Sequence, residues 1–144
     1  MPVVALPDIL GAIVARLRAV TEITALTSTR ISPVRQESWN PMPRHAIWVD
    51  GPKGMGPFGS DNLPLETVRV DLNCFGSTDY EAGRLWRTMH SAICPYQGAA
   101  TQFVAAGVRV SNVQRESGPI RFTDSDTGWP CVIGGYLFSY QGAS

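Results

Sequence analysis

The segment LETVRVDLNCFG, residues 65–76, has the clearest alternation of apolar and polar side chains in this chain. A period of two residues is typical of a β-strand with one buried face. An apolar strand face needs a second layer of structure to cover it, so this segment predicts a sheet packed against another element. The apolar face would carry Val68, Val70, Leu72 and Cys74, and the polar face Thr67, Arg69, Asp71 and Asn73.

Two amphipathic helices are predicted to form that covering layer. The first spans about residues 8–19, with Asp8 and Pro7 suited to its first turn. The second follows a Thr78/Glu81 capping box and ends before Pro95. We predict that both pack on one sheet face, against Val68, Val70 and Leu72. The apolar positions at helical spacing are Leu6, Ile9, Leu10, Ile13, Val14 and Leu17 in the first helix, and Ala82, Leu85, Trp86, Met89 and Ile93 in the second.

The other segments read mainly as strands and turns. A short turn is expected over residues 23–26, and strands over 30–32 and 45–50. In the last third, residues 103–116, 118–126 and 129–141 are predicted as strands, with a polar turn in TDSDTG. Gly134 and Gly135 in mid-strand indicate a bulge or a close backbone approach. The predicted fold is α+β in one domain, 1–144: a mainly antiparallel sheet, two helices on one face, and a long inter-strand loop at 51–64.

Composition and charge exclude several functional classes. Hydrophobic residues make up 44% of the chain, which is typical of a folded domain rather than a disordered segment. Twelve basic and twelve acidic residues give a net charge of zero, which argues against sequence-independent nucleic-acid binding. The three cysteines lack zinc-site spacing, so no metal or cofactor is predicted. The apolar N-terminal run is interrupted by Asp8 and Arg16, so we expect neither a membrane span nor a targeting signal.

One motif resembles a nucleotide-binding loop. Residues 54–59, GMGPFG, match G-x-G-x-x-G. A dinucleotide cradle requires a helix directly after the glycines, so that its N-terminal N–H groups meet the pyrophosphate. Here Pro57 removes one donor, and the next predicted element is a strand. We therefore predict that this loop does not bind phosphate.

Nucleophilic catalysis has little support in the sequence. There is no G-x-S-x-G motif, and His45 and His90 are the only histidines. Cys94 lies four residues after His90, but at a helix C-terminus, where the dipole raises a thiol pKa. The chain is therefore predicted not to be an enzyme. A small monomeric ligand-binding domain, or a thiol enzyme that uses Cys94 or Cys131, remains an open alternative.

The Gly/Pro loop is instead a candidate surface for binding protein. Met55 and Phe58 would form an apolar anchor, with Lys53 and Asp61 as a polar rim. We predict that the loop contacts a neighbouring subunit or another partner. Arg69 and Asp71, on the polar face of the strand, complete the set of predicted contact residues.

The order of the elements resembles that of a known family. A leading amphipathic helix precedes a Pro-rich segment and the short strand PRHAIWV. After the long loop come VRVDLNCFGSTDYEAGRLWRTMHSAI and the closing aromatic strand GGYLFSY. This arrangement is similar to that of the phage tail terminator, or tail-completion, family, which also occurs in prophages and phage-derived particles. The resemblance rests mainly on residues 66–93, and it supplies no catalytic residues.

The resemblance implies a structural virion protein. Its members form a hexameric ring that caps the tail tube, ends tail polymerisation and joins the tail to the head connector. The implied partners are copies of this chain, the tail tube protein and a head-connector or neck protein. No membrane and no specific nucleic-acid binding are implied, apart from passage of DNA through the ring. The implied location is the virion, assembled in the bacterial cytoplasm. Another neck or head–tail joining component remains an alternative, because fold does not determine function.

Overall fold

The computed structural model describes residues 8–34, 39, 44–53, 66–94 and 102–142. These residues form three helices and six strands. In chain order they are α1 (Ile9–Arg18), α2 (Thr21–Thr27), β1 (Ile31–Ser32), β2 (Ala46–Asp50), β3 (Glu66–Phe75), α3 (Asp79–Ile93), β4 (Phe103–Ala105), β5 (Val108–Thr123) and β6 (Pro130–Gly142).

The six strands form one sheet in the order β1-β2-β3-β6-β5-β4. β1 pairs with β2 in parallel, and all other neighbouring pairs are antiparallel. The sheet is therefore mainly antiparallel, and the predicted α+β fold class is confirmed. The segment with the clearest alternation, β3, lies in the interior of the sheet between β2 and β6.

The core lies between the helices and one sheet face. Helix α3 packs on β3, as predicted, and on β6, whereas α1 makes its main sheet contacts with β1, β2 and β4 rather than with β3. Val70 and Leu72 of β3 are fully buried there, together with Ile13 of α1 and Leu85 of α3. Cys74 is also fully buried in this cluster, so its predicted core position is confirmed. Leu6, the first predicted residue of the α1 stripe, lies outside the described residues.

The start of the chain contains more helix than the sequence predicted. Asp8 caps α1 by accepting a hydrogen bond from the Gly11 N–H at 3.0 Å. The short turn expected over residues 23–26 is instead the seven-residue helix α2. Its buried Thr27 satisfies its hydroxyl by donating to the Ile23 carbonyl at 3.1 Å. Ile23 is fully buried against the core, and this packing stabilises a helix too short to persist alone.

The capping box of α3 forms only in part. The Thr78 side chain accepts from the Glu81 N–H at 3.2 Å, as predicted. The Glu81 carboxylate, however, lies 2.8 Å from His45 Nε2 and 3.4 Å from Arg84. This contact with His45 lowers the pKa of Glu81. Glu81 therefore links α3 to the residues that precede β2, a connection that the local motif could not indicate.

The last third contains one long strand where two were predicted. Residues 108–123 form the single strand β5, which follows β6 through register shifts at Val110/Asn112, Arg115/Ser117 and Ser117/Ile120. The predicted break at Ser117 falls at two of these irregularities and not at a turn between strands. The polar turn predicted in TDSDTG is present, and the Asp124 carboxylate accepts from the Thr127 N–H at 2.9 Å.

The sheet face opposite the helices, here called the distal face, is partly apolar and partly polar. Near the Phe75 end of β3 it carries an aromatic cluster of Trp39, Ala46, Phe75, Trp129 and Cys131. Further along β3 it carries charged and hydroxyl side chains.

No described helix is long and apolar enough to cross a bilayer.

Candidate partner-contact site

Two carboxylates face each other on the distal face. Asp50 of β2 and Asp71 of β3 are paired directly in the antiparallel register. Like charges in such a pair repel one another and destabilise a sheet. The ammonium group of Lys53 offsets this repulsion, because it lies 2.8 Å from Asp50 Oδ2 and 3.2 Å from Asp71 Oδ2.

The chain directly after β2 brings Lys53 to this position. The Lys53 backbone N–H donates to the Arg69 carbonyl at 2.7 Å, so the chain continues beside β3 beyond the end of the strand. Gly51 lies close against β3: a Cβ there would be 3.2 Å from the Arg69 carbonyl oxygen. The small residue at 51 allows this close approach, and the approach places Lys53 between the two carboxylates.

Arg69 extends the cluster across β6. Its Nε lies 3.3 Å from Asp71 Oδ1, and its Nη2 donates to Ser117 Oγ on β5 at 3.4 Å. Glu116 Oε2 lies 3.8 Å from the same guanidinium. β6 separates β3 from β5, and its residue at this level is Gly135. A Cβ on Gly135 would lie 2.6 Å from Ser117 Oγ and 3.1 Å from Arg69 Nη2, so only glycine leaves room for the contact.

The charges of this cluster compensate one another. Hydrogen bonding to Asp50 raises the pKa of Lys53, which keeps the amine charged and unsuited to act as a nucleophile. Asp71, whose side chain is 8% exposed, contacts both Lys53 and Arg69. Among the described residues, no group of three His, Cys, Asp or Glu side chains could hold a metal ion.

The structure brings three of the six predicted contact residues together. Lys53, Arg69 and Asp71 form one connected cluster, although Lys53 was predicted as part of the loop and the other two as part of a strand face. Met55, Phe58 and Asp61 lie outside the described residues, as does the whole G-x-G-x-x-G motif. The described elements on either side of that loop are the antiparallel strands β2 and β3.

Sequence reasoning missed the contribution of β5 to this face. Glu116 and Ser117 join the charged cluster, and Ile120 and Phe122 lie further along the same strand, paired with Ile133 and Cys131. Ile120 is 56% exposed and Phe122 is 37% exposed. The alternation in PIRFT could have indicated these exposed residues. The Gly134-Gly135 pair could have indicated that a long side chain crosses β6.

The histidine and cysteines considered for catalysis are held in structural contacts. His90 Nδ1 lies 2.8 Å from the Tyr136 hydroxyl, and its ring stacks on Trp86 at 4.8 Å. Burial, with a smaller effect of Arg115, lowers the pKa of His90, and burial raises the pKa of Tyr136. The Cys94 thiol donates to the Val113 carbonyl at 3.6 Å, and burial raises its pKa. The Cys94 thiol and the His90 ring therefore have separate partners and do not form the pair considered for catalysis.

The comparisons with known proteins concern sequence families, curated proteins and solved structures. No family model matches the chain, and no curated protein matches it in sequence. The fold is similar to that of a chain in the solved structure "Virion of native gene transfer agent (GTA) particle". The two chains superpose with a TM-score of 0.70 at 11% identity, over 92% of this chain and 94% of the other. At this level of identity the likeness concerns the fold.

Proposed function

We propose that this chain is a structural subunit of a phage-like particle that forms a ring at the end of the tail tube. The observation that carries the proposal is the shared fold with a virion chain, because the likeness extends over nearly the full length of both chains. The element order that resembles the tail terminator family supports the same assignment. In this role the ring caps the tube, ends tail polymerisation and joins the tail to the head connector.

The distal face supplies a surface suited to subunit contact. It combines a charged cluster around Arg69 and Asp71 with the exposed apolar side chains of Ile120 and Phe122. Aromatic and arginine side chains are enriched in protein interfaces. A closed ring requires each subunit to present two different complementary surfaces, and this face is a candidate for one of them.

The described titratable groups also support an architectural role. Burial raises the pKa of the Cys74 thiol well above its ordinary value, and Cys94 shows the same direction. Nucleophilic cysteines require a lowered thiol pKa. The amine of Lys53 is engaged by two carboxylates. This arrangement stabilises a rigid body and does not prepare a reactive group.

The proposal includes the partners and the location. Residues 1–144 form one domain, which assembles into a hexameric ring in the bacterial cytoplasm and remains in the virion. The ring contacts the tail tube protein on one end face and a head-connector or neck protein on the other. DNA passes through the ring without specific recognition, and the assembly requires no cofactor.

Two measurements test this function. Light scattering on the purified protein is expected to show an oligomer of about six subunits, the copy number that the resemblance to the tail terminator family implies for a closed cyclic assembly. Deleting the gene from a particle-producing host should give tails of uncontrolled length, and supplying the gene in trans should restore normal length. A protein that stays monomeric at all concentrations, in a host whose particles are unchanged by the deletion, would refute the proposal.

A neck or head–tail joining subunit is the second candidate. The fold likeness supports it as well, because it points to a particle and not to one position within it. Electron microscopy of the deletion host separates the two functions. Overlong tails support the terminator role, whereas tails of normal length beside unattached heads support the joining role.

A further inference from the structure

A pocket between α3 and the long β5–β6 hairpin lies on the helix side of the sheet, away from the distal-face cluster. Its volume is about 260 Å³. The lining residues are Gly83, Trp86, Arg87, Pro119, Arg121 and Val132. The pocket therefore combines apolar walls with two guanidinium groups, and the function proposed above makes no use of it.

The two arginines converge at one point. A Cβ on Gly83 would lie 3.3 Å from an Nη of Arg87 and 3.8 Å from an Nη of Arg121. Both side chains are exposed, and neither has an acidic partner within 4.0 Å among the described residues. Two neighbouring cations repel each other, and a bound carboxylate would reverse this repulsion and accept hydrogen bonds from both.

The arginines are also supported by apolar surroundings. The Arg87 guanidinium lies 5.6 Å from the centre of the Tyr80 ring, so aromatic stacking restrains it. Trp86 is 7% exposed and contributes an aromatic ring to the wall of the pocket. Val132 is buried beneath the pocket. A ligand that fits must therefore present an apolar group beside its negative charge.

We propose that this pocket binds an acidic segment of another particle protein, through a carboxylate held by Arg87 and Arg121 beside an apolar side chain that packs on Trp86. Charge complementarity selects an acidic partner, and the apolar wall favours a peptide over a phosphate backbone. The net charge of zero likewise disfavours nucleic acid as the occupant. The proposal rests on the chain being a particle component, but not on ring formation.

The test uses the full chain and a blocked peptide of sequence Gly-Glu-Leu-Glu-Phe-Gly. Binding is followed by the indole ¹H–¹⁵N signal of Trp86, which is assigned by its absence in Trp86→Phe. We expect a saturable shift of this signal, weakened at least tenfold in the double variant Arg87→Gln/Arg121→Gln. Arg109→Gln, an exposed arginine earlier on β5, is the matched control and should bind normally. The dispersion of the spectrum shows whether each variant is folded.

Several results would overturn the proposal. The first is the lack of a saturable shift of the Trp86 signal at about 5 mM peptide, which excludes even weak binding. The second is equal binding of a control peptide that has Gln in place of Glu. Equal weakening by Arg109→Gln would show general attraction to positive charge. The same saturable shift with inorganic phosphate or a DNA duplex would make the occupant a phosphate. A shift of the Trp86 signal when the protein is concentrated without peptide would show that the occupant is a second copy of this chain. Ring formation is measured separately by light scattering, so failure of the pocket and failure of the ring are distinguishable.

Discussion

The guanidinium of Arg69 crosses the strand β6 at Gly135, where a Cβ would lie 3.1 Å from Arg69 Nη2. This relationship connects three strands. Arg69 belongs to β3, Gly135 to β6, and the hydroxyl that Arg69 reaches belongs to Ser117 on β5. The absence of one side chain in the middle strand therefore allows the charged cluster to extend over the distal face.

Gly135→Ala should destabilise the protein. The new methyl group would lie 2.6 Å from Ser117 Oγ, so the cluster must shift, at a cost of about 1–3 kcal/mol. Thermal unfolding measures the change. The double variant Gly135→Ala/Ser117→Ala removes the nearest atom of the clash and should recover part of the lost stability. Full stability of Gly135→Ala alone would show that the close packing is absent.

The contribution of Lys53 should depend on pH. Its pKa is raised in the folded protein by hydrogen bonding to Asp50, so its stabilising effect is present below the ordinary value of 10.5 and is lost as pH rises through the folded pKa. The Tm difference between the parent and Lys53→Met should therefore be largest near neutral pH and shrink above about pH 10.5. A difference that stays constant up to pH 12 would contradict the ion-pair assignment.

Trp86→Ala should cost about 3–5 kcal/mol, because it leaves a cavity beneath α3 and removes the stacking partner of His90. Denaturant unfolding measures this loss. Tyr80→Ala, in the same helix but 67% exposed, is the control and should change stability by less than about 1 kcal/mol. Equal effects of the two substitutions would place Trp86 outside the core.

Replacing Cys74, Cys94 and Cys131 together with alanine should leave assembly and particle function intact. Stability should fall moderately, because Cys74 and Cys131 are fully buried. Light scattering and tail length are the measurements. A folded Cys94→Ala protein that loses all biological activity would revive the thiol-enzyme alternative.

Ile120→Asp should weaken ring formation while leaving the monomer folded, because Ile120 is 56% exposed on the distal face. Val104→Asp is the matched control: Val104 is 57% exposed but lies on the edge strand β4. Circular dichroism checks folding, and light scattering measures assembly. Normal rings from Ile120→Asp would exclude this part of the distal face from the interface.

The sequence by itself determined the elements in which apolar side chains recur at a regular spacing. The alternation of β3 and the stripes of α1 and α3 predicted the layer order and the core around Val70 and Leu72, because local periodicity decides which side of an element is buried. At Gly134 and Gly135 the sequence indicated a bulge or a close backbone approach, whereas the atoms nearest to a Cβ at either position belong to side chains. The sequence left α2 as a turn, since a seven-residue helix gains its stability from tertiary packing.

Only the tertiary structure decided how distant residues combine. Strand pairing set Asp50 opposite Asp71, and the chain after β2 placed Lys53 between them. The Glu81 carboxylate contacts His45, which precedes β2, instead of completing the capping box of its own helix. The convergence of Arg87 and Arg121 depends on how α3 lies against the β5–β6 hairpin. Such contacts depend on how separate elements pack together, and no local periodicity predicts them.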